Sequence, residues 1–222
     1  MSDSNPGVRV AIRLCLVILV AVVYQAYKRG TLQKSLGKTN APTTTAGGGV
    51  IAGINFPTLA KPLAFVGGGT RTKYGIAQIY AAGLYVDPKV LQKTKGVRSA
   101  VIADASSTKT IVLHFLRNVE AQKVQESLQQ ELSKRYSSEE GMQTFIDKLH
   151  QVLPADKVTT GSEITMTCSG KRLTFRVADK TAVLGNDKEA CSNLWDVYIG
   201  KEAVSKDIRD GFEKGAKSIL AA

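Results

Sequence analysis

Residues 63–86 read LAFVGGGTRTKYGIAQIYAAGLYV and restrict the fold more than any other part of the chain. β-branched and aromatic residues fill two arms, Leu63–Thr70 and Ile76–Val86, around a polar turn at Thr72–Gly75, so the segment reads as a β-hairpin. Three successive glycines at 67–69 mark a bulge, or a place where another group comes close to the backbone. Arg71 follows them directly. A guanidinium between two apolar strands either reaches water at the turn or sits in a pocket and requires an anionic partner.

The remaining pattern surrounds this hairpin with helices. Asp87-Pro88 opens a short helix over 88–94, and Thr110–Leu116 is short and nearly all apolar, as a central strand would be. Val124, Leu128, Leu132 and Tyr136 recur at helical spacing within 119–136. Ser137-x-x-Glu140 has the form of a capping box before a second helix, which Pro154 ends. Ile164, Met166 and Cys168 alternate, as do Leu173, Phe175 and Val177, with a turn at 169–171. A strand over 180–184 follows, then a helix over 187–199 closed by Gly200. Ser205 caps a last helix with Ile208, Phe212, Gly215 and Ile219 on one face. Strands, two helices, strands and two helices give an α+β domain, a mostly antiparallel sheet with helices against one face. The cleft between the two layers is a natural apolar ligand site.

Upstream of this domain, Val10–Tyr27 is an apolar run interrupted only by Arg13 and Gln25. It is slightly short for a membrane span, with Arg13 placed to snorkel. A retained membrane anchor within residues 1–30 is the leading reading. A cleaved targeting sequence and a soluble buried helix are the alternatives. Residues 31–55, rich in Thr, Gly and Ala, read as a flexible linker, so the domain spans 56–222.

Composition removes several function classes. The net charge is +11, but six basic residues and one acidic residue lie within 1–38, leaving the rest mildly basic with interspersed signs. No basic run with interleaved aromatics supports a nucleic-acid partner. Cys15, Cys168 and Cys191 show no CxxC spacing, so a disulfide framework is not expected. His114 and His150 lie far apart, and no metal site or cofactor is expected. GGG at 67–69 lacks the Gly-Lys-Ser/Thr of a phosphate loop.

Three motifs carry a resemblance. FVGGGTRTKYGIAQIYAAGLYVD, LHFLRNVEAQKVQESL and LGNDKEACSNLWDVYIGKEAVS together resemble, in order over roughly 56–220, the chalcone isomerase-like family. The resemblance implies an open-faced β-sandwich. It also offers two activities: cofactor-independent ring closure of a chalcone, or non-catalytic binding of fatty acids. In the isomerases the arginine matching Arg71 works with four polar residues; here Tyr80, Glu120, Ser127 and Val197 stand at those places. No catalytic residue is therefore assigned. An arginine with a tyrosine on the facing strand is the pair by which fatty-acid-binding members hold a carboxylate, so Arg71 and Tyr80 are the expected ligand residues. The expected partner is a fatty acid or similar amphiphilic carboxylate, carried by a protein anchored in an organelle membrane, mitochondrial or plastid. An isomerase, and a structural protein at such a membrane, are the alternatives.

Overall fold

The apolar, β-branched arms of the first long hairpin pair with each other and form one edge of the chain's main sheet. The structure, a computed structural model, describes residues 48–92 and 97–221. A small hairpin, β1 (Gly49–Ile51) and β2 (Ile54–Phe56), comes first. β3 (Ala64–Lys73) and β4 (Ala77–Val86) form the long hairpin. Two short helices follow, α1 (Pro88–Leu91) and α2 (Val97–Ala103), and then β5 (Lys109–Phe115). β6 (Val119–Glu120) leads into α3 (Ala121–Leu132) and α4 (Glu139–Val152), with β7 (Lys157–Val158) pairing back to β6. β8 (Glu163–Ser169), β9 (Arg172–Val177) and β10 (Lys180–Leu184) form a meander. The last elements are α5 (Ala190–Ile199) and α6 (Lys206–Leu220).

The main sheet has six antiparallel strands in the order β10-β9-β8-β5-β4-β3. Alternation assigns its faces, as the pleat requires. Tyr80, Leu84, Ile111, Leu113, Phe115, Ile164, Met166, Leu173 and Phe175 point into the main core beneath the helices. Ala81, Tyr85 and Val112 point the other way, where among the described residues they cluster with Ile51, Ile54 and Phe56 of the β1–β2 hairpin, with Leu59 and Leu63 after it, and with Phe65. The Phe65 ring stacks on Phe56 and meets Tyr85 edge-on, while the Tyr85 hydroxyl donates to the Pro57 carbonyl at 2.9 Å. The other face is thus largely open, and the fold is α+β with helices on one side, as the pattern implied.

Several boundaries move. The domain begins before residue 56, because 49–56 is a folded hairpin and not linker; Ala52 and Gly53 at its turn both have positive φ. The anchor reading of 1–30 and the linker reading of 31–47 lie outside the described residues. Among the described residues no helix is long and apolar enough to cross a membrane. The cap of α4 is Ser138, whose hydroxyl accepts from the Gly141 amide, and not Ser137, which binds Glu189 instead. The helix expected from 119 to 136 is trimmed at both ends: Val119 and Glu120 pair with β7, and Tyr136 turns inward against Phe145. Cys168 of β8 and Cys191 of α5 are joined by a disulfide with Cα atoms 5.8 Å apart, which corrects the expectation drawn from cysteine spacing. That bridge fastens α5 to the sheet.

Lys109 is the unexpected member of the core, 1 % exposed at the start of β5. Its amine donates to the carbonyl of Val101 in α2 and to that of Asp104 just beyond it, at 2.5 and 2.6 Å, and lies 5.6 Å from the centre of the Trp195 ring. Burial pulls its pKa down from 10.5 to about 8, with the Asp104 charge opposing the shift. Between those two values the unfolded chain binds more protons than the folded one, so stability rises with pH. Above pH 10 the sign reverses, because burial raises the pKa of Tyr80, Tyr85, Tyr136 and Tyr198. Urea titrations are expected to gain about 2 kcal/mol from pH 8 to 10 and to lose it above. Lys109→Met should flatten the rising limb; an unchanged limb in that variant would refute the assignment.

Candidate functional site

Register places the first two site residues. Arg71 on β3 and Tyr80 on β4 are cross-strand partners, so their side chains share one face, the face beneath the helices. Tyr80 is buried and tilts against Phe115 with ring centres 5.6 Å apart. Arg71 is half-buried at the outer end of the same row.

Both line a cavity of about 570 Å³ between the sheet and the helices. Its floor is Ile79, Tyr80, Leu113, Phe115, Ile164 and Met166. Its roof is the inner face of α3, with Val124, Ser127, Leu128 and Glu131, and Leu149, Val197 and Tyr198 close the sides. α3 carries apolar residues on this face only, and its outer face is polar, which is why it roofs a cleft instead of sinking into the core. The exposed lining residues, Lys73, Tyr74, Arg117, Asn118, Glu120, Lys123 and Lys157, gather at one end and form the mouth.

A second phenol completes the polar end of the site. Tyr198 projects from α5 toward Tyr80, 3 % exposed, and its hydroxyl lies within polar reach of the Tyr80 hydroxyl, which in turn faces Arg71. Burial pushes the Tyr80 pKa up, while the Arg71 guanidinium and its hydrogen bond act against that rise. Burial, and then the neighbouring Tyr80, push Tyr198 well above its ordinary value. Both phenols therefore keep their protons at neutral pH and are donors. Among the described residues no carboxylate lies within salt-bridge distance of Arg71. The nearby acid, Glu131, is held by Arg135 and Lys134 at 3.2 and 3.1 Å. One cation and two neutral donors thus converge at the edge of an apolar cavity, an arrangement suited to a small oxyanion with a hydrophobic body.

The sequence reading identified Arg71 and Tyr80, which the fold brings together, but not Tyr198. The signal for it was the DVYIG segment, where Tyr198 stands two residues before the helix-ending Gly200. Glu120, Ser127 and Val197 all reach the cavity wall. Glu120 is exposed and paired with Lys123 at 2.8 Å; Val197 is buried and apolar. His114 faces the opposite side of the sheet and pairs with Glu163 across the strands at 3.1 Å. Trp195 is fully buried and meets Phe212 edge-on, fastening α5 to α6. Among the described residues no cluster of His, Cys, Asp and Glu has the geometry of a metal site.

An antiparallel sheet with one helix-covered face and a cleft between the layers defines a class of α+β proteins built around an internal apolar site. The chain belongs to the chalcone isomerase-like family, whose sequence model matches residues 48–212. The match begins at the β1–β2 hairpin, in agreement with the earlier domain boundary. Among solved structures it is similar to a fatty-acid binding protein of Arabidopsis thaliana, with a TM-score of 0.64 and 19 % identity, over 77 % of this chain and 96 % of that one. At that identity the likeness concerns the fold. No curated protein sequence matches the chain.

Proposed function

We propose that this protein binds fatty acids or similar amphiphilic carboxylates without transforming them, Arg71 and Tyr80 gripping the headgroup while the chain lies beneath α3. The observation that carries this reading is the half-buried Arg71, without a described carboxylate partner, at the edge of a cavity whose floor is mostly apolar and whose charged lining residues gather mainly at the mouth. Its volume falls within the range of about 300–1,000 Å³ common to small-molecule sites. An alkyl chain gains about 0.8 kcal/mol per methylene buried there, and a guanidinium offers two parallel N–H donors to the acid. Tyr198 adds a third group in reach of the same head. Ring closure is less well supported, since Glu120, Ser127 and Val197 replace the polar residues expected of an isomerase. The apolar leader within residues 1–30 is proposed as the tether that holds this domain at an organelle membrane.

The test compares headgroups. Delipidated protein titrated with a long-chain fatty acid, and with the alcohol of equal length, should bind the acid at least tenfold more tightly, a difference of about 1.4 kcal/mol. Native mass spectrometry of the freshly purified protein should show a co-purifying acid that Arg71→Ala loses. Equal affinity for acid and alcohol would overturn the headgroup assignment.

A further inference from the structure

Two large apolar side chains are conspicuously out of place. Tyr74 is 92 % exposed and Ile76 88 % exposed, whereas the next most exposed large apolar residue among the described residues, Leu220, is at 45 %. They flank Gly75 at the tip of the β3–β4 hairpin, where the Ile76 amide bonds back to the Lys73 carbonyl at 3.4 Å. Tyr74 holds φ +54° and Gly75 φ +72°. Asparagine or glycine would take the first of these positions with less strain than an aromatic residue. An aromatic side chain retained at a costly backbone position, in water, beside a second apolar residue, points to a role outside the fold.

The surroundings of that tip are basic. Lys73 and Tyr74 border the cavity mouth, and Arg117, Lys123 and Lys157 complete the rim. Of the acids that line the cavity, Glu120 is engaged by Lys123 and Glu131 by Arg135 and Lys134, and Glu126 lies near Lys123 as well. We propose that the hairpin tip docks the cavity mouth onto an anionic membrane surface, Tyr74 and Ile76 entering the boundary between headgroups and acyl chains while the basic rim rests on lipid headgroups. Tyrosine suits that boundary, with an apolar ring and a hydroxyl left at headgroup level. The rim cations draw on the negative surface potential of the leaflet. Positive charge and apolar tip coincide on one edge of the domain, which fits a lipid surface better than another copy of this basic chain. This inference does not rest on which ligand occupies the cavity. Docking there would open the mouth toward lipid and spare an amphiphile a passage through water.

A reporter at the tip tests the contact directly. Full-length Ile76→Trp is mixed with phosphatidylcholine vesicles, with or without phosphatidylserine, and with lipids brominated on their acyl chains. The native Trp195 is fully buried and supplies a constant background. With phosphatidylserine, the new tryptophan should shift its emission to the blue, be quenched by the brominated chains, and lose both effects in high salt. Lys73→Glu and Lys123→Glu should each weaken that response roughly fivefold or more. The apolar leader can hold the protein on vesicles without the tip, but it cannot produce quenching at residue 76. An unchanged tip spectrum on anionic vesicles would overturn the proposal. So would a response indifferent to phosphatidylserine, or a blue shift that grows with protein concentration in the absence of lipid, which would name a second copy as the occupant. Ile76→Ser should abolish tip-dependent docking while fatty-acid affinity in vesicle-free solution is unchanged, so failure here is distinguishable from failure of the carboxylate reading.

Discussion

Gly211→Ala and Gly215→Ala are each expected to lower stability by about 3 kcal/mol or more, although alanine is the better helix former by about 1 kcal/mol. The sign inverts because α6 lies backbone to backbone on β3. A Cβ on Gly211 would drive into the Gly68 carbonyl, and one on Gly215 into the Val66 carbonyl. The strand is bare for the same reason: a Cβ on Gly67 would sit 2.5 Å from the Gly211 oxygen, and one on Gly69 2.6 Å from the Asp207 carbonyl carbon. No side chain can swing aside at these contacts, so relief requires the helix to move. Moving it would unseat Ile208, Phe212 and Ala216, all fully buried. It would also pull on the bonds that fix the start of α6 to β3, from the Thr70 amide and hydroxyl to Asp207 and from the Ser205 hydroxyl to the Thr70 carbonyl. Overpacking of a rigid core costs about 1–3 kcal/mol and occasionally more, and backbone contacts belong to the upper end. For a domain of this size the midpoint should fall by about 6–12 °C. Thermal unfolding followed by circular dichroism, with the exposed Lys214→Ala as control, measures it; a Gly211→Ala protein more stable than the parent would refute the close-packing account.

The same glycines show what the sequence could and could not convey. A run of three inside an apolar strand signalled a close approach, but not that the approaching group is a helix about 140 residues later with its own glycines in register. The six-stranded sheet was legible because β8, β9 and β10 keep period-two alternation, while β3, β4 and β5 are apolar runs bounded by turn residues, as strands buried on both faces are. The Arg71–Tyr80 pair was named through the family resemblance, and one hairpin's register sets the two residues opposite each other. Tyr198 was not, since its place beside Tyr80 depends on how α5 lies on the sheet. The Cys168–Cys191 bridge likewise joins two elements 23 residues apart without any spacing motif. The β1–β2 hairpin was hidden by composition: Ala52-Gly53 is a turn between Val50-Ile51 and Ile54-Phe56, yet the glycines and threonines before it dominate the segment and suggest linker. α5 escaped facial analysis because seven of its ten residues are buried, leaving little polar face to contrast.

Arg71→Leu should reduce affinity for a long-chain fatty acid about 100-fold while leaving affinity for the corresponding alcohol within a few-fold. Hydrogen bonds to a charged group contribute about 1.5–3 kcal/mol each, and a carboxylate brought into the cavity without its cation also bears an uncompensated desolvation cost. The protein lacking Arg71 can escape that cost only by taking the acid in its protonated form. Its affinity should therefore rise as pH falls from 8 toward the carboxyl pKa, whereas the parent should vary little over the same span. Tyr80→Phe removes one neutral donor and should cost about five- to tenfold. With Arg71 already replaced, the tyrosine faces a neutral carboxyl and its removal should matter less, so the double variant should lose less than the two single losses combined. Stability in the absence of ligand should change by less than about 1 kcal/mol in Arg71→Leu, because the half-buried guanidinium has no carboxylate partner among the described residues to lose. Isothermal titration of the four proteins with acid and alcohol, at two pH values, separates these terms. An Arg71→Leu protein that still prefers the acid at pH 8 would mean that the headgroup is held elsewhere, with the basic residues of the mouth as the alternative cations.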